Sequence, residues 1–196
     1  MKIYTKLSIL FGFLAMMLFS TNAEAKSERI EPETLEAYAK EIGEMYNINP
    51  YILYAMCETE SSRVIHAENG SCKGLMQVSE KWHSGRMEKL GVEDIFDPYG
   101  NILVAADFLA ELYEINSDTY YVLMRYNMTI KSANKLYEEG KISYYARSIV
   151  ERAEELEAEA IEKEKKSLAK NEAYERHVLE TNVATFVSNF LDICLS

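Results

Sequence analysis

Apolar residues recur at helical spacing along nearly the whole chain, and this pattern constrains the fold more than any other feature. Leu35, Tyr38 and Ile42 are three or four residues apart, as on one face of a helix. The same spacing returns in a long helix predicted to begin at Asp97-Pro98. Strand signals are nearly absent, and residues 63–74 are predicted to form a loop with a turn at Asn69-Gly70. The sequence therefore predicts a mostly α fold.

The first 25 residues have the features of a secretory signal peptide. Two lysines precede an apolar run from Leu7 to Phe19, and Ala23-Glu24-Ala25 matches an A-x-A cleavage site. The run is too short for a comfortable transmembrane span, although an uncleaved N-terminal anchor is the alternative. We expect cleavage near Ala25 and a protein that is secreted or held in the cell envelope.

The composition changes near residue 150 and divides the remaining chain. Residues 151–170 are mostly Glu, Ala and Lys, which favours an exposed helix with i,i+4 charge pairs. The amphipathic residues that follow are expected to pack on their own domain or to cover a partner. We therefore expect a signal peptide over 1–25, a domain over 26–150 and a charged helical extension over 151–196.

Charge and residue spacing exclude several classes of function. The formal net charge of −11 leaves no basic patch for nucleic acid, so no nucleic-acid partner is expected. The histidines and cysteines have no metal-ligand spacing, so we expect neither a metal nor a cofactor. Export makes a Cys57–Cys72 disulfide one alternative, and two free buried thiols are the other.

Two glutamates lie at the end of a helix predicted over residues 50–61, which Asn49-Pro50 caps. On a helical wheel, Glu60 lies within about 60° of Leu53 on the apolar stripe, whereas Glu58 lies roughly 140° away. Burial would raise the pKa of the Glu60 carboxyl group, and a carboxyl group that keeps its proton can serve as a general acid. The alternative is that the helix ends here and both side chains are solvated.

Four short segments, taken in order, resemble the catalytic domain of the soluble-type (SLT) lytic transglycosylases. They are Glu60-Ser61, Gly74-Leu75-Met76-Gln77, the segment FDPYGNILVAADFLAEL with Asn101, and Tyr126-Asn127 followed by Tyr145. The resemblance covers roughly residues 35–150. It implies a lysozyme-like helical domain over 26–150, with residues 151–196 as a long C-terminal helical extension.

The resemblance also implies an activity and roles for single residues. It implies cleavage of the β-1,4 bond between N-acetylmuramic acid and N-acetylglucosamine in peptidoglycan, with a 1,6-anhydro end on the product. Glu60 matches the catalytic glutamate, which acts first as acid and then as base, and Ser61 matches a serine that helps to orient it. The resemblance also implies that six residues contact the glycan: Ser61, Met76, Gln77, Tyr126, Asn127 and Tyr145. Tyr145 matches a tyrosine that points at the glutamate, but the adjacent Tyr144 leaves this alignment open by one residue.

Alternatives to this function follow from the same residues. A hydrolytic muramidase on the same fold needs a second carboxylate, for which Asp94 and Asp97 are the candidates, although Asp97 is better explained as a helix cap. A non-catalytic cell-wall-binding or assembly protein is the other alternative. In that case the C-terminal helix would dock on a partner in a secretion or conjugation apparatus. Arg63, Arg125 and Thr129 depart from the family pattern at positions that bear on substrate preference.

Overall fold

Helices make up most of residues 28–194, the part of the chain that the computed structural model describes, with side chains described as far as Val183. In chain order the elements are α1 (Pro32–Tyr46), α2 (Pro50–Ser61), β1 (Glu68–Asn69), β2 (Cys72–Lys73), β3 (Val78–Ser79), α3 (Glu80–Leu90), α4 (Pro98–Ile115), α5 (Thr119–Asn127), α6 (Ile130–Glu138) and α7 (Tyr144–Cys194). The predicted mostly α fold is confirmed. The predicted signal peptide lies outside the described residues.

Side-chain caps explain where several helices begin. The Asn49 side chain accepts a hydrogen bond from the Tyr51 backbone at 2.9 Å, at the start of α2. Asp97 accepts one from the Gly100 backbone at 2.6 Å, so its predicted role as the cap of α4 is confirmed. The fully buried large side chains of the core come from several helices and from the segment before β3: Leu35, Ile42, Leu53, Met56, Leu75, Met76, Ile102, Leu109, Leu112, Leu123, Met124 and Ile149.

A small antiparallel sheet replaces part of the loop that the sequence predicted. The strand order is β1-β2-β3, with Asn69 paired to Cys72 and Cys72 paired to Ser79. Each strand is two residues long, which is too short for an alternating pattern to appear in the sequence. Gly70, with φ +61°, is the first residue of the two-residue connection, where a tight hairpin favours glycine. The turn was therefore predicted correctly and the strands were missed.

The chain forms two compact units, one ending at Ala153 and the other beginning at Glu154. The first unit holds the core. The second unit is the remainder of α7, and its side chains at Ile161, Leu168 and Leu179 are exposed. Between residues 28 and 194, none of the helices is both long enough and apolar enough to span a membrane.

We expect a chain that ends at residue 155 to fold as the full chain does. It retains the last buried contacts of the first unit, which α7 makes through Ala146, Ile149 and Ala153. Its melting temperature should lie within about 4 °C of the full chain's, since a cost near 1 kcal/mol shifts a domain of this size by no more than that. Circular dichroism melts test this expectation. A chain that ends at residue 145 serves as the control and should fail to fold, and an unfolded 155-residue chain would show that the extension completes the core.

Candidate active site

Glu60 lies in the last turn of α2 and is half-buried. Burial raises the pKa of its carboxyl group, while a hydrogen bond from the Tyr145 hydroxyl to Oε1, at 2.5 Å, lowers it in part. The net shift is upward. Glu60 therefore keeps its proton to a higher pH than an exposed glutamate does, as the helical phase predicted. The alternative of two solvated glutamates is wrong for this residue.

The Tyr145 hydroxyl is the polar partner of the Glu60 carboxyl group. Burial raises the pKa of Tyr145, and the nearby Glu60 carboxylate raises it further, so the hydroxyl stays protonated and donates. Tyr144, by contrast, is 86% exposed. The structure thus resolves the one-residue ambiguity in the sequence, because only Tyr145 of the two meets the glutamate.

Replacing Tyr145 by Phe is expected to raise the pKa of Glu60 further, because the hydrogen bond that favours its carboxylate is lost. If Glu60 is the acid, the decline of activity at alkaline pH should move to higher pH. A hydrogen bond to a charged group contributes about 1.5–3 kcal/mol, so kcat should fall by about 10-fold or more from poorer positioning. A pH–rate profile measures both effects. Tyr144→Phe is the matched control and should leave the profile unchanged, and an unmoved alkaline limb in Tyr145→Phe would contradict the assigned contact.

Glu58 has a different environment from Glu60. Arg152, at the start of α7, donates a hydrogen bond from Nε to Glu58 Oε2 at 2.8 Å. The side chains of Glu58 and Arg152 are 29% and 33% exposed, so this ion pair contributes about 0.2–1 kcal/mol to stability. Glu58, which the helical wheel placed away from the apolar stripe, therefore ties α2 to α7 and is a structural residue.

The Ser61 hydroxyl does not donate to the Glu60 carboxyl group in this structure. Its hydroxyl donates a hydrogen bond to the backbone carbonyl of Cys57, at 3.0 Å. A serine in a helix readily bonds to the carbonyl four residues earlier, and here that contact takes its only proton. The expected orienting role is corrected, because Tyr145 makes the contact with Glu60 instead.

The Asn101 side chain fixes the turn at residues 74–77 through hydrogen bonds to the backbone. Asn101 was not among the site residues predicted from the sequence. Asn101 is fully buried, and its Oδ1 accepts a hydrogen bond from the Met76 backbone at 2.8 Å. Its Nδ2 donates to the carbonyls of Lys73, at 3.0 Å, and Ile95, at 2.8 Å. Gly74 has φ +76°, and a Cβ there would lie 2.3 Å from the Asn101 Nδ2. Only glycine therefore fits this close approach.

Met76 and Gln77 follow that glycine and face different surroundings. Met76 is fully buried, and its Sδ lies 3.3 Å from the Cys57 Sγ. The expected glycan contact of the Met76 side chain is therefore corrected, since the side chain is part of the core. Gln77 is half-buried with φ +50°, and its Nε2 donates to the carbonyls of Ala67, at 3.2 Å, and Gly74, at 3.0 Å.

Tyr126 and Asn127 end α5 beside this turn. The Tyr126 hydroxyl donates a hydrogen bond to the Met76 carbonyl at 2.7 Å, which fixes the ring against the turn. Burial raises the pKa of Tyr126, and the Glu60 carboxylate raises it further. The hydroxyl is engaged by the backbone, which leaves the half-buried ring as the part of Tyr126 available to a ligand. Asn127 is exposed at the last position of α5.

Both cysteines of the first unit are free thiols. Cys57 is fully buried, and burial raises the pKa of its thiol, which makes it a weak nucleophile. Cys72 is half-buried in β2. Of the two alternatives from the sequence, the structure has the unbridged one. Among the side chains described, from residue 28 to Val183, no three of His, Cys, Asp or Glu converge as a metal-binding group.

The side chains of the two aspartates considered as a second carboxylate both accept hydrogen bonds from nearby backbone N–H groups. Asp94 Oδ1 accepts a hydrogen bond from the Phe96 backbone at 2.8 Å, and Asp97 caps α4. Glu60 is thus the carboxyl group that burial and a tyrosine hydroxyl prepare for proton transfer. Such a group can deliver a proton to a leaving oxygen and take one back afterwards.

Comparison with known proteins gives a family for this arrangement. Residues 37–144 match the family model of the transglycosylase SLT domain. Among solved structures, an inactive mutant of the lytic transglycosylase Slt from Pseudomonas aeruginosa is similar, with 16% identity and a TM-score of 0.49 over 62% of this chain. This chain spans 21% of that protein's length, and no curated protein matches it. Because the family match takes in more than half of the 196 residues, the chain belongs to the transglycosylase SLT domain family.

Proposed function

We propose that this protein is a peptidoglycan lytic transglycosylase that cleaves the bond between N-acetylmuramic acid and N-acetylglucosamine and leaves a 1,6-anhydro end. The observation that carries this proposal is the half-buried Glu60 carboxyl group, with a raised pKa and the Tyr145 hydroxyl on its Oε1. Both residues come from segments that resemble the family in sequence. Membership of the SLT family supports peptidoglycan as the substrate.

Glu60 acts twice in the proposed reaction. It first gives its proton to the glycosidic oxygen while the bond from that oxygen to C1 of muramic acid breaks. The resulting carboxylate then takes the proton from the C6 hydroxyl as the C6 oxygen forms a bond to C1. The proton given and the proton taken balance, so Glu60 is restored and no water is consumed. The N-acetyl group of the substrate can stabilise the positive charge at C1, which removes the need for a second protein carboxylate.

The environment of the aspartates favours this reaction over hydrolysis. A hydrolytic glycosidase of the usual kind needs two carboxyl groups on either side of the bond. The two aspartates considered for that role accept hydrogen bonds from backbone N–H groups, and Glu58 is paired with Arg152. Glu60 as the single working carboxyl group suits a reaction in which the substrate supplies its own nucleophile.

The test is mass spectrometry of the muropeptides released from purified sacculi. We expect products that end in 1,6-anhydro-muramic acid. Reducing ends would instead identify a hydrolytic muramidase. Intact sacculi after incubation with folded protein would identify a non-catalytic wall-binding or assembly protein.

The activity should also depend on pH in a defined direction. The first step needs protonated Glu60, and burial raises the pKa of that group. The rate should therefore fall as the pH rises through this elevated pKa, and the fall should begin at higher pH than for an exposed glutamate.

We further propose that the protein is exported and works in the cell envelope or outside the cell. The support is an apolar run that follows two N-terminal lysines and precedes the Ala23-Glu24-Ala25 sequence. Amino-terminal sequencing of the secreted or envelope protein is expected to start at Lys26. An intact Met1 on the extracytoplasmic protein would show that the segment is an uncleaved anchor.

The helical extension after Ala153 is our candidate for contact with a secretion or conjugation apparatus. Its exposed apolar side chains at Ile161, Leu168 and Leu179 lie among charged residues, a pattern typical of a helix that meets another protein. The chain that ends at residue 155 should cleave purified sacculi as the full chain does. In cells, it should lose association with the apparatus. If both chains associate equally with the apparatus, the extension does not make this contact.

A further inference from the structure

A row of aromatic rings leads away from Glu60 across the surface of the first unit. The Tyr126 hydroxyl bonds to the Met76 carbonyl, and the Met76 side chain contacts Cys57, which is one helical turn before Glu60. The Tyr126 ring centroid is 5.8 Å from that of Phe108 in α4. The Phe108 centroid is in turn 4.9 Å from that of His83 in α3. All three rings are half-buried, so each keeps an accessible edge or face.

Trp82 is a neighbour of this row along helix α3. It precedes His83 in the first turn of α3 and is one helical turn from Arg86, so the two side chains are neighbours on the helix surface. The Arg86 guanidinium lies over the Phe108 ring, 5.4 Å from its centroid, which places this side of α3 against the row. Trp82 is the only tryptophan of the chain, and it is 75% exposed.

The exposure of Trp82 makes it available to a ligand and leaves it little part in the core. An indole ring has a large apolar face and a rigid side chain with two torsions, so it binds flat apolar surfaces at low entropic cost. The axial C–H bonds of a β-linked sugar give it such a surface. The Lys81 ammonium lies 5.1 Å from the indole centroid, and a cation there strengthens contact with the polar rim of a sugar or with an acidic stem peptide.

We infer that Trp82 binds the glycan strand at a distance from the cleaved bond, by stacking its indole ring on a sugar, with Tyr126, Phe108 and His83 lining the path from Glu60. This inference rests on the proposed function. Trp82 would then contribute to the affinity of the protein for long glycan strands and take no part in proton transfer. Trp82→Ala should therefore raise the KM for long glycan strands by about 3- to 10-fold, the range of one aromatic contact, and leave kcat unchanged.

Trp82 also reports on its own contact, because no second tryptophan contributes to the fluorescence. Peptide-free glycan strands are titrated into Glu60→Gln protein, which binds without cleaving. We expect the Trp82 emission to change with saturation. In the same background, calorimetry should show about 3- to 10-fold weaker binding for Trp82→Ala, and Trp82→Tyr should restore most of the affinity.

Tyr174→Ala is the matched control, since Tyr174 is 69% exposed but lies in the second unit. It should bind strands as the parent protein does. One result would overturn this inference and leave the proposed function standing. In that result, calorimetry shows glycan binding, the Trp82 emission does not change, and Trp82→Ala binds with the same affinity as the parent. Absence of any glycan binding would overturn both.

Discussion

Replacing Glu60 by Gln is expected to lower the transglycosylase rate by about 10²–10⁴-fold or more, while the protein remains folded. One general acid contributes about that factor, and here the same group must also act as the base. Glutamine has nearly the same shape, and its side-chain oxygen can still accept the Tyr145 hydrogen bond. Muropeptide release from sacculi measures the rate, and circular dichroism checks the fold.

The same substitution should preserve or increase stability at neutral pH. The pKa of Glu60 is raised in the folded protein, so the unfolded chain ionises first and ionisation opposes folding. The stability associated with this group is fully present below its unfolded pKa, about 4.3, and is lost as the pH rises through the folded value. The amide of the substituted side chain does not titrate. We expect the Glu60→Gln protein to melt at the same or a higher temperature at pH 7, with the difference disappearing in acid.

Glu58→Gln is the matched control, two positions away on the same helix. It removes the charge that pairs with Arg152, so the free energy of unfolding should fall by about 0.2–1 kcal/mol. The rate should stay within about twofold of the parent, because a barrier change below about 0.5 kcal/mol has no larger effect. An inactive Glu58→Gln beside an active Glu60→Gln would reverse the assignment, and activity in both would exclude a glutamate-dependent mechanism.

Replacing Asn101 by Ala is expected to have the largest effect on stability. It leaves the Met76 N–H and the carbonyls of Lys73 and Ile95 without their partner. Each buried polar group left unsatisfied costs about 1–3 kcal/mol, so the sum for the three groups is about 3–9 kcal/mol. Whole domains are stable by only about 5–15 kcal/mol. Urea unfolding should show a large fall in the midpoint and, where protein remains folded, loss of activity through disorder of the turn at residues 74–77.

Asn134→Ala provides the comparison. Its side chain accepts a single hydrogen bond, from the Tyr121 hydroxyl at 2.8 Å, and Asn134 is half-buried. Its loss should cost about 0.5–1.5 kcal/mol. If Asn101→Ala is destabilised by no more than Asn134→Ala, the bonds of Asn101 are not what fixes the turn.

The local sequence pattern was sufficient to predict where the helices begin and that Glu60 and Glu58 have different environments. The caps at Asn49 and Asp97 are decided by a few neighbouring residues, and a helical wheel distinguishes Glu60 from Glu58 without tertiary information. The raised pKa of Glu60 followed from the same argument. These features were predictable because each depends on one helix.

Features that depend on distant parts of the chain were not predictable in this way. Asn101 contacts backbone groups 25 and 28 residues earlier in the chain, and nothing in its own segment indicates them. The resemblance to a family gave Ser61 an orienting role, but the nearby Cys57 carbonyl takes its proton. The burial of Met76 depends on how α2 and α4 enclose the turn, which no local pattern reports.

The hydrogen bond between Tyr145 and Glu60 joins residues 85 positions apart in the chain. A polypeptide that is translocated unfolded, amino terminus first, delivers Glu60 well before the tyrosine that completes its site. Folding can close this contact only after nearly the entire first unit has emerged. With the export and the activity proposed above, Glu60 would gain its tyrosine only when the start of α7 arrives, so the emerging chain would be inactive during its passage.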